Sequence, residues 1–140
     1  MQGEFKKKII SGLLILGCVL GASEAKISKE RIEAMRAMEN AMATIQKGFL
    51  YNDARIVEKG VKMLKDRSIH LEPPLTGDEK YLKKEETYKY KFTKKQAYRM
   101  NIYADDIQRD FYNDEKKQAM YAYTKILKQC MSCHSRIRKW

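Results

Sequence analysis

The C-terminal end of the sequence holds the residues with the clearest chemistry, the run Cys130-Met131-Ser132-Cys133-His134. Two cysteines at this spacing lie about one helical turn apart, so both sulfurs can reach the two vinyl groups on one edge of a haem and form thioethers. The imidazole of His134 follows directly and can turn onto the iron as its proximal ligand. The sequence therefore predicts one covalent haem c, attached through Cys130 and Cys133.

Three other interpretations of the cysteine pair stay open. A redox dithiol is expected beside a βαβ pattern, which the sequence lacks. A zinc site needs four ligands, and after residue 25 the chain offers only Cys130, Cys133, His134 and the distant His70 as cysteine and histidine ligands. A structural disulfide between the two cysteines would close too small a loop to stabilise the fold much. We favour haem attachment over all three.

The N-terminus has the three parts of a secretory signal peptide. Lysines at positions 6–8 form a positive n-region, residues 9–22 form an apolar stretch, and Ser23-Glu24-Ala25 ends in the small-x-small pattern that signal peptidase prefers. The sequence thus predicts a signal peptide over residues 1–25 and export to the periplasm. The remaining residues, 26–140, are enough for a single domain with its own core.

Two alternatives to a cleaved signal peptide concern the same stretch. A membrane anchor would need about 20 apolar residues to span a bilayer, and the run over residues 9–22 is shorter. Lipoprotein processing at Cys18 is the other alternative, because Ile15-Leu16-Gly17-Cys18 loosely resembles a lipid-attachment sequence. The leucine before the glycine makes that match imperfect, so we favour a periplasmic protein without a lipid anchor.

The chain is strongly basic, and its charge is spread along its length. It has 29 Lys and Arg against 18 Asp and Glu, a net charge of +11; removing the three lysines and two glutamates of residues 1–25 leaves +10. No dense arginine patch of the kind that tracks nucleic acid is present, so we expect no nucleic-acid partner. A basic surface favours acidic redox partner proteins or peripheral contact with an anionic membrane. The alternative is a solvated surface that serves solubility.

The periodicity of the apolar residues predicts an all-α chain. From Ser28 to about Leu50, side chains recur at spacings of three and four, as on the buried face of one helix. Asn52 and Asp53 are candidate caps for a second helix, which must end before Pro73-Pro74. The predicted inward positions of these two helices are Arg31, Met35, Met38, Met42, Ile45, Phe49, Ile56, Val57, Val61 and Leu64.

The next part of the chain contains two capping-box spacings, Thr76 to Glu79 and Thr93 to Gln96. Residues 77–112 therefore form either one helix or a short helix followed by a second from residue 94, and we favour a break near residues 91–93. The predicted inward positions of the later part are Ala97, Met100, Tyr103, Ala104, Ile107 and Phe111.

The last helix is predicted from about Glu115 to Arg138, after a turn at Asn113 and Asp114. Four long segments with short connections indicate an antiparallel four-helix bundle, whose interior is a usual place for a cofactor. The haem is then attached near the end of the last helix, on its buried face. The predicted inward positions of this helix are Ala119, Ala122, Tyr123, Ile126, Leu127, Cys130, Cys133, His134 and Ile137.

A helical domain of this size with its haem motif in the last helix resembles the class II c-type cytochromes, the cytochrome c′ family. That family commonly has an arginine four residues before the side chain over the distal face of the haem, and Arg31 and Met35 have this spacing. It also commonly has an aromatic residue and an arginine shortly after the haem histidine; Arg138 matches, but Ile137 replaces the aromatic residue. The resemblance covers residues 28–50 and 94–140, and the intervening part only by helix count.

The resemblance implies a function that depends on the distal side of the haem. Low-spin relatives place a methionine there and transfer electrons, so Met35 is the predicted sixth ligand and Met38 is the second choice. A soft thioether ligand favours ferrous iron and fills the site where a gas would bind. The expected function is electron transfer by a monohaem protein that is not an enzyme. The alternative is a five-coordinate cytochrome c′ that binds NO or CO, with Met35 as one of several flexible core methionines.

Other residues have less specific interpretations. Arg31 and Arg138 either neutralise haem propionates and form a positive rim around the haem edge, or are ordinary surface arginines. His70 is either near the haem or a surface loop residue. The aromatic side chains of Tyr81, Tyr88, Tyr90 and Phe92 either line the haem edge or pack the bundle. The resemblance also implies a homodimer built on the first two helices.

Overall fold

The structure, a computed structural model, describes residues 29–71 and 84–138, with only the backbone at Arg138. The chain divides into two compact units, Met1–Ile32 and Glu33–Trp140. The described residues of the first unit, 29–32, are helical. Those of the second unit are helices and short turns, with no β-strand among them. The all-α prediction is therefore confirmed, while the predicted signal peptide and Cys18 lie outside the described residues.

The first helix, α1, covers residues 29–51, and the second, α2, follows a short turn as Ala54–Ser68. In the turn, Asn52 has a φ of 52°, a left-handed conformation that asparagine tolerates better than most residues. The carboxylate of Asp53 then accepts hydrogen bonds from the backbone N–H groups of Arg55 and Ile56. The predicted cap of the second helix is thus confirmed at Asp53.

The C-terminal end of α2 is held by a buried serine. A 3-10 turn, Ile69–Leu71, follows the helix, and Pro73-Pro74 lies outside the described residues. Ser68 is fully buried; its hydroxyl donates to the Lys65 carbonyl and accepts from the Asn101 side chain, both at 3.0 Å. Because buried hydroxyls need such partners, this pair ties the end of α2 to the third helix.

The third helix, α3, is continuous over Lys84–Tyr112. The predicted break near residues 91–93 is therefore wrong. Thr93 does not cap a new helix, because its hydroxyl donates to the Lys89 carbonyl at 2.8 Å, as threonines do inside a helix. The other capping-box spacing, Thr76 to Glu79, lies outside the described residues.

The fourth helix, α4, is Lys116–Cys133, and it continues into a π-helical turn, His134–Arg138. The predicted turn precedes it, with Asp114 at a φ of 63°. The side-chain ammonium of Lys116 donates to the Phe111 carbonyl at 2.9 Å, so the end of α3 and the start of α4 are joined. The predicted span from about Glu115 to Arg138 is confirmed, with the last residues in the wider π-helical form.

The core is built from one face of each of the four helices. Leu127, predicted to face inward, is instead 43% exposed, because one residue further along a helix turns a side chain about 100° from buried Ile126. Ile56 is only half-buried. The other predicted stripes agree well with the buried cluster, which comprises Met38, Ala41, Met42, Ile45, Val57, Val61, Leu64, Leu71, Met100, Ala104, Ile107, Phe111, Ala119, Ala122 and Ile126.

Two glycines allow α1 and α2 to pack closely. A Cβ atom added to Gly60 would lie 2.7 Å from Cγ1 of Ile45, 2.8 Å from its backbone nitrogen and 3.0 Å from the Ala41 carbonyl oxygen. At Gly48 it would lie 2.6 Å from Cγ2 of Val57 and 2.7 Å from its backbone nitrogen. The backbones themselves are therefore in contact, which only glycine permits.

Polar contacts fix the register between α2 and α3. Near the start of α2, Glu58 accepts a hydrogen bond of 3.0 Å from the hydroxyl of Tyr112 at the end of α3. Further along α2, Lys65 forms an ion pair with Asp105, followed by the Ser68 contact with Asn101. Residue numbers therefore rise along α2 as they fall along α3.

Cation–π contacts show that residue numbers also run in opposite directions along α3 and the C-terminal part of the chain. The ammonium of Lys125 lies 5.1 Å from the ring centroid of Tyr103. The guanidinium of Arg136 lies 5.2 Å from the ring centroid of Phe92. The first half of α3 therefore lies beside the end of α4, where the cysteine motif is.

Candidate functional site

The cysteine motif lies at the junction between α4 and the π-helical turn. Cys130 is in the last turn of α4, Cys133 is its final residue, and His134 begins the π-helical turn. The backbone N–H of His134 donates to the carbonyls of Cys130 and Met131, so the motif is helical throughout. Local changes from α to π geometry frequently occur at functional sites. The backbone here presents two thiols and an imidazole within about one turn.

The two thiols are half-buried and are not joined by a disulfide. Cys130 packs against the buried core. Burial, and after it the neighbouring Cys133, raises the pKa of the Cys130 thiol. Redox dithiols usually work through a cysteine whose pKa is lowered, so this environment argues against a redox dithiol.

Zinc ligation finds no support among the described side chains. In residues 29–71 and 84–138, no group of three or more His, Cys, Asp and Glu residues is arranged to hold a metal ion. His70 lies exposed in the 3-10 turn after α2 and does not form such a group with the motif. A zinc centre at Cys130 and Cys133 would therefore need ligands from elsewhere in the chain.

An aromatic cluster lies beside the core on the same side of α4 as Cys130. Tyr123 precedes Cys130 by two helical turns, and burial, followed by Cys130, raises the pKa of its hydroxyl. The Tyr123 ring meets Phe49 edge-on, with centroids 5.7 Å apart, and Phe49 stacks on Phe111 at 5.4 Å. Helices α1, α3 and α4 each supply one of these rings. Sequence periodicity assigned each ring to its own helix face but did not pair them.

The two candidate methionine ligands differ in burial. Met35 is half-buried and packs against the same core cluster as Cys130. Met38 is only 5% exposed and belongs to the interior of that cluster. Met35 is thus the more accessible of the two side chains, and its role as a ligand stays a prediction.

The arginines predicted to contact propionates are not joined to the motif by any described contact. Arg31 lies in the first unit and is half-buried, and the side chain of Arg138 lies outside the described residues. Their roles stay predictions. Arg136, which the sequence analysis did not single out, lies over the ring of Phe92.

Sequence reasoning also missed an open groove between α3 and the π-helical turn. Its volume is about 540 Å³. Of the cysteine motif only Ser132 lines it, so the groove is separate from the two thiols. The sequence did contain a signal for this groove. The spacings of four, three and four residues between Tyr88, Phe92, Lys95 and Arg99 put these side chains on one face of a helix. The full lining is Lys84, Thr87, Tyr88, Lys91, Phe92, Lys95, Gln96, Arg99, Ser132 and Arg136.

The aromatic run at the start of α3 serves two purposes. Tyr90 is 7% exposed and packs into the protein. Tyr88 is 51% exposed and stacks on Phe92 with ring centroids 6.0 Å apart. Packing therefore accounts for Tyr90, whereas Tyr88 and Phe92 form a wall of the groove. Tyr81 lies outside the described residues.

None of the helices in the described part of the chain combines the length and apolarity needed to cross a membrane.

Comparison with known proteins finds no match to a family model, a curated protein or a solved structure. The resemblance to class II c-type cytochromes therefore rests on the residues of this chain alone.

Proposed function

We propose that this chain is a periplasmic c-type cytochrome that holds one covalent haem and transfers electrons. The observation that carries the proposal is the arrangement of the motif at the end of α4: two half-buried cysteines about one helical turn apart, with an imidazole next in the chain. This donor set has the chemistry that haem attachment needs, two thioether-forming sulfurs and one nitrogen ligand. Cys130 and Cys133 would hold the group, and His134 would ligate its iron.

The proposed architecture is an antiparallel four-helix bundle. The contacts of Glu58, Lys65 and Ser68 with α3 support opposite directions for α2 and α3. The contacts of Lys125 and Arg136 support the same relation between α3 and the C-terminal segment. Bundles of this kind commonly hold cofactors between facing helices.

This register also supports Met35 as the distal ligand. In the proposed bundle, the contacts between neighbouring helices would place Met35 level with the end of α2, the middle of α3 and the end of α4. Counting along the helices at about 1.5 Å per residue brings Met35 within a few ångströms, along the bundle axis, of the Cys130 to His134 segment. That both Met35 and Cys130 pack against one core cluster agrees with this placement.

The residues of the chain would divide the work of electron transfer. A bound haem supplies an iron that changes its charge by one electron. Cys130 and Cys133 would hold the haem through thioethers, and a thioether ligand from Met35 would favour ferrous iron and compete with gas binding. The buried side chains of Met38, Met100 and Ile126 exclude water from the interior, which reduces reorganisation around the charge.

A five-coordinate, gas-binding cytochrome c′ is the second candidate. The observation that favours it is the packing of Met35 against the buried core cluster, as expected for a flexible methionine that fills a core surface. In that case Met35 would lie over the iron without binding it and would leave the sixth site open to NO or CO.

The proposed setting follows from the signal-like N-terminus and the basic charge. We place the protein in the periplasm, without enzymatic activity, in contact with acidic redox partner proteins. We also propose a homodimer formed through α1 and α2 and peripheral contact with an anionic membrane. Exposed Leu50 and Tyr51 at the end of α1 are apolar surface available to a dimer.

Haem content and the visible spectrum test the proposal. The full chain is produced in a bacterium with an intact c-type haem maturation system, and covalent haem is quantified per chain. We expect one haem in the wild type and in Met131→Ser, a control at an exposed position between the two cysteines, and loss of stable attachment in Cys130→Ser and Cys133→Ser. Wild-type protein without covalent haem would reject the proposal.

The same preparations identify the sixth ligand. The wild type should give a low-spin spectrum, in oxidised and reduced forms, and bind carbon monoxide poorly. Met35→Ala should become high-spin and bind carbon monoxide readily, while the control Met38→Ala keeps a low-spin spectrum. Ready carbon monoxide binding by the wild type, with a spectrum that Met35→Ala leaves unchanged, would favour the gas-binding candidate.

A further inference from the structure

The groove between α3 and the π-helical turn is lined by several cations and by no acidic residue. None of its ten lining residues is an aspartate or a glutamate. Within the described parts of the chain, no carboxylate forms an ion pair with Lys91, Lys95, Arg99 or Arg136. Clustered cations repel one another unless an anion lies between them. The charge of this groove is therefore complementary to a negatively charged ligand.

One wall of the groove is aromatic. Tyr88 and Phe92 stack with an interplanar angle of 21°, so they offer adjoining ring faces. The guanidinium of Arg136 lies over Phe92, 5.2 Å from its centroid, in the geometry of a cation–π contact. Rings and a planar cation together favour a flat ligand that can stack on them.

A buried amide lies in the wall of the groove, and its Oε1 atom has no hydrogen-bond donor among the described residues. Gln96 is only 3% exposed and lines the groove. Among the described residues, no group donates a hydrogen bond to its buried Oε1 atom. An unsatisfied buried acceptor is costly, and native proteins rarely leave one without a functional reason. A ligand with an N–H or O–H group would satisfy it.

We propose that this groove binds a planar aromatic anion that carries a hydrogen-bond donor on its ring system. The ring stacks on Tyr88 and Phe92, its donor pairs with Gln96, and its negative charge lies among Lys95, Arg99 and neighbouring cations. The volume of about 540 Å³ is within the usual range of small-molecule sites.

The lining of the groove does not include the proposed haem ligands. Of the cysteine motif only Ser132 lines it, about 160° around the helix from Cys130. Binding in the groove therefore does not depend on the proposed haem. A failure of one proposal leaves the other standing, because haem content and ligand binding are measured separately.

Isothermal titration calorimetry of the purified exported protein with flavin mononucleotide tests the proposal. This probe has a planar ring system, an N–H donor on that ring system and a phosphate. We expect saturable binding of one probe per chain with a Kd of about 10 µM. Riboflavin, which lacks the phosphate, and inorganic phosphate, which lacks the ring, should each bind about tenfold more weakly or worse.

Variants locate the binding. The double variant Lys95→Gln/Arg99→Gln should raise the Kd about tenfold, whereas Lys59→Gln/Arg67→Gln, which removes the same charge from exposed positions on α2, should leave it within about twofold. Gln96→Leu, close in volume and apolar, should raise the Kd about fivefold. Circular dichroism verifies that each variant is folded.

Several outcomes would overturn the proposal. Absence of saturable flavin mononucleotide binding would remove it, and equal losses in the two double variants would show non-specific attraction to net charge. Phosphate binding as tight as the flavin would reduce the groove to a simple anion site. An unchanged Kd in Gln96→Leu would remove the role of the amide.

Discussion

Gly60→Ala tests whether α1 and α2 are in backbone contact. In an ordinary helix interior this substitution stabilises by about 1 kcal/mol, because alanine has the better helix propensity. Here the new Cβ would lie 2.7 Å from Cγ1 of Ile45, 2.8 Å from its nitrogen and 3.0 Å from the Ala41 carbonyl oxygen. Relaxed contacts between such atoms are about 3.5–4.0 Å. The helices must therefore move apart by a substantial part of an ångström.

The size of the effect follows from which atoms are in the way. Overpacking a core typically costs about 1–3 kcal/mol. The Cγ1 atom of Ile45 can rotate away, but its backbone nitrogen and the Ala41 carbonyl cannot, so we take the upper half of that range. After subtraction of the propensity gain of about 1 kcal/mol, the expected net loss in the free energy of unfolding is about 1–2 kcal/mol.

Urea unfolding followed by circular dichroism measures this loss, with wild type and variant at equal haem content. With a slope of about 1–3 kcal/mol/M, the midpoint should fall by about 0.3–2 M urea. Lys59→Ala, at an exposed neighbouring position, is the control and should stay within about 0.5 kcal/mol of the wild type. A Gly60→Ala protein as stable as the wild type, or more stable, would refute the close approach of α1 and α2.

Two further predictions concern stability. Ile126→Ala should lower the free energy of unfolding by about 2–5 kcal/mol, because Ile126 is fully buried, whereas Leu127→Ala should cost about 0.5 kcal/mol or less; similar losses from both would contradict the observed orientation of α4. At the start of α2, the hydrogen bond from the Arg55 side chain lowers the pKa of Asp53 below 3.8. Burial opposes this shift in part, and hydrogen bonds from two backbone N–H groups add to it. The ionised Asp53 cap therefore contributes its stability above pH 3.8 and loses it as pH falls through the folded-state pKa. Asp53→Ala should lower Tm at pH 7. Asp53→Asn keeps a hydrogen-bond acceptor but does not titrate, so its Tm at pH 7 should stay close to that of the wild type and should decline less at acid pH.

Local signals in the sequence were enough to locate the helices and the candidate motif. The spacing of Cys130, Cys133 and His134 is a property of consecutive residues, and a helix converts it directly into a shared turn. The cap at Asp53 is equally local, since its partners are two and three residues away. The apolar stripes identified most of the core because a helix repeats every 3.6 residues.

The same local signals failed where two alternatives have similar patterns. Thr93 and Gln96 have capping-box spacing, yet the packing of α3 keeps that stretch helical and Thr93 bonds to its own preceding turn. Leu127 is as apolar as its neighbour Ile126, and only the placement of α4 against the other helices decides which of them is buried. An apolar residue at the edge of an apolar stripe can therefore lie on the buried face or on the exposed face of its helix.

What the sequence determined by itself is the all-α class, the helix faces and the motif that suggests haem. Tertiary structure alone decided the features that join distant residues: the contact of Gly60 with Ile45, the ring of Phe92 under Arg136, and the groove that brings Gln96 and Ser132 to one surface. Helix periodicity describes a single helix and contains no information on which faces of different helices meet. That depends on how all the side chains pack at once, and it is the reason why the groove is visible only in the folded chain.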